Sequence, residues 1–176
     1  MLVFFPHIPK AGGQTLKQGF YEAFGRGRCI KVWRAFGSDV SSDKFPDLSS
    51  HEFKGISAVV GHLRLSDFLK NSYAKREFDD GNVQILTSVR NPVERLVSEY
   101  NYVSCNVKHR LHDEIRGMSP MDYIKLQPAN IQYDFLKPSD KSSIDDIVEI
   151  MKLFPIENSI KGFSNFFAEE LKISLS

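Results

Sequence analysis

Apolar residues in this chain fall into short runs and helical stripes that alternate along the sequence. The run at 2–5 is typical of a buried strand, and residues 16–24 carry apolar side chains at helical spacing. Three further segments rich in β-branched or aromatic residues are predicted strands: 29–33, 56–60 and 83–89. Strands that alternate with helices are typical of an α/β fold with a parallel sheet.

The rest of the pattern is mainly helical. The predicted helices are 66–77, one beginning at 92, 119–126, 143–154 and one beginning at 166. A last short strand is predicted at 159–163, while 37–55 and 128–136 are expected to be irregular. A length of 176 residues suits one domain with a substantial core, so residues 1–176 are predicted to form a single domain.

The junction between the first strand and the first helix carries groups that suit an anion. Gly12 and Gly13 allow backbone N–H groups to turn toward a ligand, and the following helix presents its positive end there. Lys10 adds a charge and Thr15 a hydroxyl donor, which together predict a phosphate or sulfate site. A plain tight turn with a solvated lysine remains the alternative. The lysine precedes the glycines, so this is not a Walker A loop.

A second strand–turn–helix unit follows the strand at 83–89. Asn91 is a predicted N-cap, Pro92 occupies the first helical position, and Glu94 completes a capping box. The helix is expected to bury an apolar stripe made of Val93, Leu96, Val97 and Tyr100.

Arg90 and Ser98 are the candidate anion ligands of this second unit. Arg90 stands at the end of the strand, and Ser98 lies two turns along the helix from the cap. The planar guanidinium fork of arginine suits phosphate. The alternative is that Arg90 pairs with an acidic neighbour and Ser98 is an ordinary surface residue.

His62 follows a glycine at the end of the predicted strand 56–60. Open α/β sheets place ligand-binding groups just beyond the carboxyl ends of their strands. Histidine is also the side chain best suited to proton transfer near neutral pH, so His62 is a candidate general base. A hydrogen-bonded structural histidine is the alternative.

Composition limits the classes of partner. A net charge of +1 argues against a strongly basic nucleic-acid binder, and no apolar run reaches the length of a membrane span. The cysteines, Cys29 and Cys105, are too few for a disulfide framework, and no spacing resembles a metal site. With no leader-like segment at the start, a cytoplasmic location is predicted.

Two motifs together resemble those of the sulfotransferases that use 3′-phosphoadenosine 5′-phosphosulfate (PAPS). Residues 7–16, HIPKAGGQTL, resemble the 5′-phosphosulfate loop, and residues 89–100, VRNPVERLVSEY, resemble the 3′-phosphate motif. Weaker similarities occur at 61–62, 130–132 and 162–166. The branch most resembled contains the carbohydrate O-sulfotransferases of the heparan and dermatan uronyl 2-O type. The resemblance implies a P-loop-like, three-layer α/β fold with a central parallel sheet flanked by helices.

The resemblance also assigns roles to individual residues. Lys10 and His62 are the implied catalytic residues. The implied donor-binding residues are Lys10, Ala11, Gly12, Gly13, Gln14, Thr15, Arg90 and Ser98. The implied reaction is a metal-free, in-line transfer of the sulfuryl group of PAPS to a hydroxyl of a sugar or glycan.

The chain departs from the family pattern at three positions. Ala11 and Gln14 occupy places where hydroxyl residues are common, and Val60 stands where the 2-O enzymes have a second histidine. A nucleotide-binding module without turnover and a small-molecule kinase with an atypical phosphate loop therefore remain alternatives. If His62 is not the base, His7, His51 and residues 108–112 are the other candidates.

Overall fold

The chain is built around a five-stranded sheet in which every neighbouring pair of strands is parallel. The structure is a computed structural model, and it describes residues 1–33 and 40–172. The strands are β1 (Leu2–Pro6), β2 (Cys29–Val32), β3 (Ala58–Gly61), β4 (Val83–Val89) and β5 (Met151–Pro155). Their spatial order, β2-β3-β1-β4-β5, places β1 at the centre of the sheet.

Helices occupy most of the segments between the strands. They are α1 (Gly13–Phe24), α2 (Leu65–Phe68), α3 (Ser72–Asp79), α4 (Pro92–Cys105), α5 (His112–Ile115), α6 (Pro120–Leu126), α7 (Ile131–Leu136), α8 (Ile144–Ile150) and α9 (Ile156–Glu169). None of those in the described ranges combines the length and apolar character that crossing a bilayer requires.

The central strand β1 shows how the layers form. Successive strand residues point to opposite faces of the sheet. Phe4 stacks on Phe68 of α2 at 4.1 Å on one face. Phe5 stacks on Phe20 of α1 at 5.1 Å and meets Phe163 of α9 edge-on at 5.4 Å on the other. Helices therefore cover both faces, and the predicted three-layer, P-loop-like α/β fold with a central parallel sheet is confirmed.

The predicted apolar stripe of α4 is only partly buried: Leu96 and Tyr100 are half-buried, but the two valines are exposed. Val93 and Val97 are 64% and 39% exposed, whereas Arg95 is only 3% exposed and pairs with Glu99 at 2.8 Å. The helix packs against α5 and α6 instead of lying flat on the sheet. Val103 of α4, Ile115 of α5 and Tyr123 of α6 form a small buried cluster there.

The predicted end of the sheet is also shifted. The last strand is β5 at Met151–Pro155, and residues 159–163 lie inside α9. The helix predicted to reach 154 ends at Ile150, because Met151 pairs with Ile85 in the sheet. Residues 131–136 form α7, although 128–136 was predicted to be irregular. Residues 37–39 of the predicted loop lie outside the described ranges.

Candidate active site

The register of the sheet brings three aromatic side chains together at its carboxyl edge. The last paired positions of β2, β3 and β1 lie side by side: Val32, Gly61 and Pro6. The residues that follow these strand ends are Trp33, His62 and His7, respectively. The His62 ring stacks on Trp33 with centroids 4.6 Å apart and meets the His7 ring edge-on at 4.5 Å.

Gly61 makes this close arrangement possible. Its φ of +146° disfavours a side chain, and a Cβ there would come within 1.9 Å of the Val32 carbonyl oxygen. That oxygen accepts a hydrogen bond from the His62 N–H at 3.1 Å, and the Gly61 carbonyl accepts one from the His7 N–H at 2.7 Å. The backbone of three strands thus fixes where the His62 side chain begins.

The β1–α1 loop presents backbone amides at the same edge. Lys10 and Gly12 both have positive φ values, 66° and 80°. No side chain caps α1 at Gly12, and the first turn contains no acidic residue. An uncapped helix start without a carboxylate suits an external anion. Gln14 and Thr15 are exposed in this first turn.

Hydroxyl groups of β4 fix the path of that loop. The Thr87 hydroxyl donates to the Pro6 carbonyl oxygen at 2.8 Å, and the Ser88 hydroxyl donates to the Ala11 carbonyl oxygen. Ala11 itself is fully buried. The two strand–turn–helix units that carry the anion-binding motifs are therefore joined by buried hydrogen bonds.

Lys10 reaches from the loop to helix α4. Its Nζ lies 4.2 Å from the centroid of the Tyr102 ring, a cation–π distance. Burial lowers the pKa of Lys10, the Glu99 carboxylate acts in the opposite direction, and the Arg90 guanidinium lowers the pKa again. Charges of the second unit thus act on the ammonium group of the first.

Arg90 is anchored through its backbone and keeps its guanidinium near the surface. Its N–H donates to Gln132 Oε1 at 2.9 Å, and the Gln132 amide donates to its carbonyl oxygen at 2.7 Å. The Arg90 side chain contacts Glu94 at 3.5 Å, and these side chains are 27% and 57% exposed. An exposed pair at that distance is weak. Asn91 caps α4 as predicted, but Glu94 pairs with Arg90 instead of completing a capping box.

The predicted site residues differ in how closely the structure connects them. The Lys10–Tyr102 contact joins the loop to α4, and the Arg90 guanidinium is near enough to lower the pKa of Lys10. Ser98 is half-buried and lies four residues before Tyr102, hence on the side of α4 that Lys10 contacts. His62 is connected to the loop through His7, whose ring lies against Gly13.

Trp33 and Tyr102 of this region were not predicted from the sequence. Gln132 lies in the weaker family similarity at 130–132, but no role was predicted for it. Trp33 follows a strand end just as His62 does, and Tyr102 stands one turn after Ser98. Their positions in the sequence could therefore have identified both as candidate site residues. The partner of Gln132, the peptide of Arg90, is 42 positions away in the sequence, and no local pattern marks such a pairing.

A cleft lies on the outer side of α1 and β2. It has a volume of about 530 Å³ and is lined by Lys17, Gln18, Tyr21, Arg26, Cys29, Ile30, Lys31 and Val40. It contains neither Lys10 nor Arg90. The ammonium groups of Lys17 and Lys31 also lie 5.3 and 5.4 Å from the Trp33 ring centroid. The cleft therefore opens beside the ring on which His62 stacks.

Comparison with known proteins supports the fold and identifies the family. The structure resembles that of mouse sulfotransferase SULT7A1 complexed with PAP, with a TM-score of 0.55 and 16% identity. The match covers 99% of this chain and 59% of the SULT7A1 chain, so the chain spans a little over half of that protein. None of the curated proteins matches it. The family model named Sulfotransferase family matches residues 2–145. The chain belongs to the sulfotransferase family.

Proposed function

We propose that this protein transfers the sulfuryl group of PAPS to a hydroxyl of a sugar or glycan. One observation carries the proposal: Lys10 of the β1–α1 loop meets α4, the helix that follows Arg90, at the sheet edge that also holds His62. Two anion sites and a proton acceptor are what this reaction needs. The SULT7A1 structure, a complex with PAP, supports the choice of donor.

The residues of the two units fit the donor's anionic groups. The uncapped start of α1 and the amides from Gly12 to Thr15 would hold the 5′-phosphate of the phosphosulfate, whereas the Ala11 N–H already donates to the Ile8 carbonyl oxygen at 3.2 Å. Arg90 and Ser98 would bind the 3′-phosphate, with the Gln132 amide fixing the Arg90 peptide. Lys10 would stabilise the charge that develops on the sulfuryl and leaving phosphate oxygens. When bound, PAPS supplies the sulfuryl group.

His62 would act as the general base. It takes the proton of the acceptor hydroxyl as that oxygen bonds to sulfur and the sulfur–oxygen bond to the phosphate breaks. The leaving phosphate oxygen then carries the negative charge that Lys10 faces. The Trp33 stack and the His7 contact hold the His62 ring at the strand edges.

The surroundings of His62 favour a carbohydrate acceptor. The cleft beside Trp33 combines basic, amide and phenolic side chains, which suit the hydroxyl and acidic groups of sugars. We place the protein with the carbohydrate O-sulfotransferases on this basis and on the motifs at 7–16 and 89–100. The acceptor would approach His62 along the cleft.

Nucleotide preference tests the proposed donor directly. We expect 3′-phosphoadenosine 5′-phosphate (PAP) to bind at least about tenfold more tightly than ATP with Mg²⁺, a difference near 1.4 kcal/mol. The reason is that Arg90 offers a second phosphate site, which ATP does not use. Isothermal titration calorimetry with each nucleotide measures the two Kd values. Tighter binding of ATP would exclude the proposed function and favour a kinase.

Removing Arg90 should abolish that preference. We expect Arg90→Ala to weaken PAP binding by about 10- to 150-fold, the range for a lost hydrogen bond to a charged group. Adenosine 5′-phosphosulfate, which lacks the 3′-phosphate, should bind almost as it does to the unchanged protein. Calorimetry on both ligands gives the ratio. The matched control is Arg76→Ala, because Arg76 is 62% exposed on α3. Equal losses for the two nucleotides would contradict the assigned role.

A further inference from the structure

His7 is a buried histidine that is fixed on several sides. It is only 5% exposed, and its ring lies nearly parallel to Phe5 with centroids 6.1 Å apart. Its backbone N–H donates to Gly61. The start of α1 presses against the ring, since a Cβ at Gly13 would come within 1.9 Å of His7 Cδ2. The imidazole is thus buried and packed between Phe5 and the start of α1.

His7 also contacts the candidate base. Its ring meets that of His62 edge-on, with an angle of 70° between the ring planes, whereas Trp33 lies within 22° of parallel to His62. An edge contact and a stack restrict different rotations of the same imidazole. His62 thus contacts two rings that follow neighbouring strands, and one of them, His7, is itself buried.

The surroundings of His7 argue against a role as the general base. Burial, with smaller contributions from His62 and Lys17, lowers the pKa of His7 to about 3. A side chain that stays neutral well below physiological pH is a poor proton acceptor. Its Nδ1 is buried without a hydrogen-bond partner within the described residues. A costly neutral imidazole beside the base is better explained by its contact with His62 than by proton transfer.

We propose that His7 is a positioning residue: it holds the His62 imidazole in one orientation and joins it to the donor loop through Gly13. The inference rests on the proposed function for the role of His62 but not for the ring contact. Gly13 belongs to the loop whose amides would hold the phosphosulfate, so the His7 ring lies between that loop and His62, while the Thr87 and Ser88 hydrogen bonds fix the path of the loop.

The orientation of His62 can be measured without any turnover. We would label the five histidines with ¹³C and ¹⁵N and assign the His62 signals with His62→Gln. In the unchanged protein we expect one dominant His62 tautomer, slow ring motion, and nuclear Overhauser effects between the His7 and His62 rings. In His7→Ala and His7→Asn we expect a mixture of tautomers and faster ring motion. Unchanged His62 signals in either folded variant would overturn the proposal.

If neither variant folds, the unchanged protein still tests the proposal. Absence of ring-to-ring nuclear Overhauser effects between His7 and His62 would by itself overturn the proposal. Because this measurement needs no donor or acceptor, it also separates the proposal from the proposed function. A protein that fails to bind PAP yet shows the fixed His62 ring would refute the function and retain the positioning role.

Kinetics then tests whether the orientation matters. We expect His7→Asn to lower kcat roughly 10- to 100-fold through misplacement of the base, with the Kd for PAP changed by less than about twofold. The comparison variant is Ser88→Ala, which removes a loop hydrogen bond without touching either ring. That variant should affect PAP affinity more than the His62 ring signals. An unchanged kcat in His7→Asn would overturn the positioning role.

Discussion

Replacing His62 with alanine is expected to lower kcat by about 10²- to 10⁴-fold, the usual contribution of a positioned general base. The Kd for PAP should stay within about twofold, because His62 packs between the Trp33 and His7 rings and has no assigned part in donor binding. Single-turnover transfer of ³⁵S from labelled PAPS to a glycan acceptor measures the chemical step, and calorimetry measures PAP binding.

A second histidine variant makes the result specific. His51 is exposed in the loop between β2 and β3, and it is another candidate base from the sequence. His51→Ala should transfer sulfate at a rate close to that of the unchanged protein. If His51→Ala loses activity and His62→Ala does not, the base assignment is wrong, although the donor site can still be correct.

Replacing Lys10 with methionine should lower kcat by a similar factor, through loss of charge stabilisation instead of loss of a proton acceptor. We expect kcat to fall by about 10²- to 10³-fold, as when a donor to a developing charge is removed. Methionine keeps the unbranched stem beside Tyr102, so the loop should retain its path. The loss arises because the ammonium group meets more negative charge in the transition state than in the bound donor. Rapid-quench measurement of the first turnover gives the effect.

The control for Lys10→Met is Lys125→Met on α6, where the lysine side chain is 69% exposed. That variant should leave both turnover and nucleotide binding unchanged. A fall in PAP affinity as large as the fall in kcat would show that Lys10 acts mainly in ground-state binding. In that case the charge of the transition state must be stabilised elsewhere, with the amides after Ala11 as the remaining group.

Local signals predicted the parts of the protein that depend on local geometry. The glycines after Lys10, and the N-cap Asn91 followed by Pro92, mark strand–turn–helix junctions whose requirements lie within a few residues. Parallel strands then place both junctions at one edge of the sheet. The positions of the anion-binding loop and of Arg90 in the fold were therefore predictable.

Contacts that depend on register were not predictable. His7 and His62 meet only because Pro6 pairs with Gly61, and nothing in either segment specifies that pairing. The prediction that α4 buries its apolar stripe failed in part for a related reason. Val93 and Val97 have helical spacing, but α4 packs on other helices and buries the Arg95–Glu99 pair instead. Amphipathic spacing indicates a helix without indicating which side its neighbours cover.

The central position of β1 has a consequence for synthesis of the chain. β1 emerges from the ribosome long before α9, which covers it by packing Phe163 against Phe5. At about 5–20 residues per second, roughly ten to thirty seconds separate the two segments. During that time the apolar residues of β1 lack both their final helix and the neighbouring strands β3 and β4, which form later in the chain. The strand that organises the finished sheet is thus the nascent segment with the longest exposure to aggregation and the greatest need for chaperone protection.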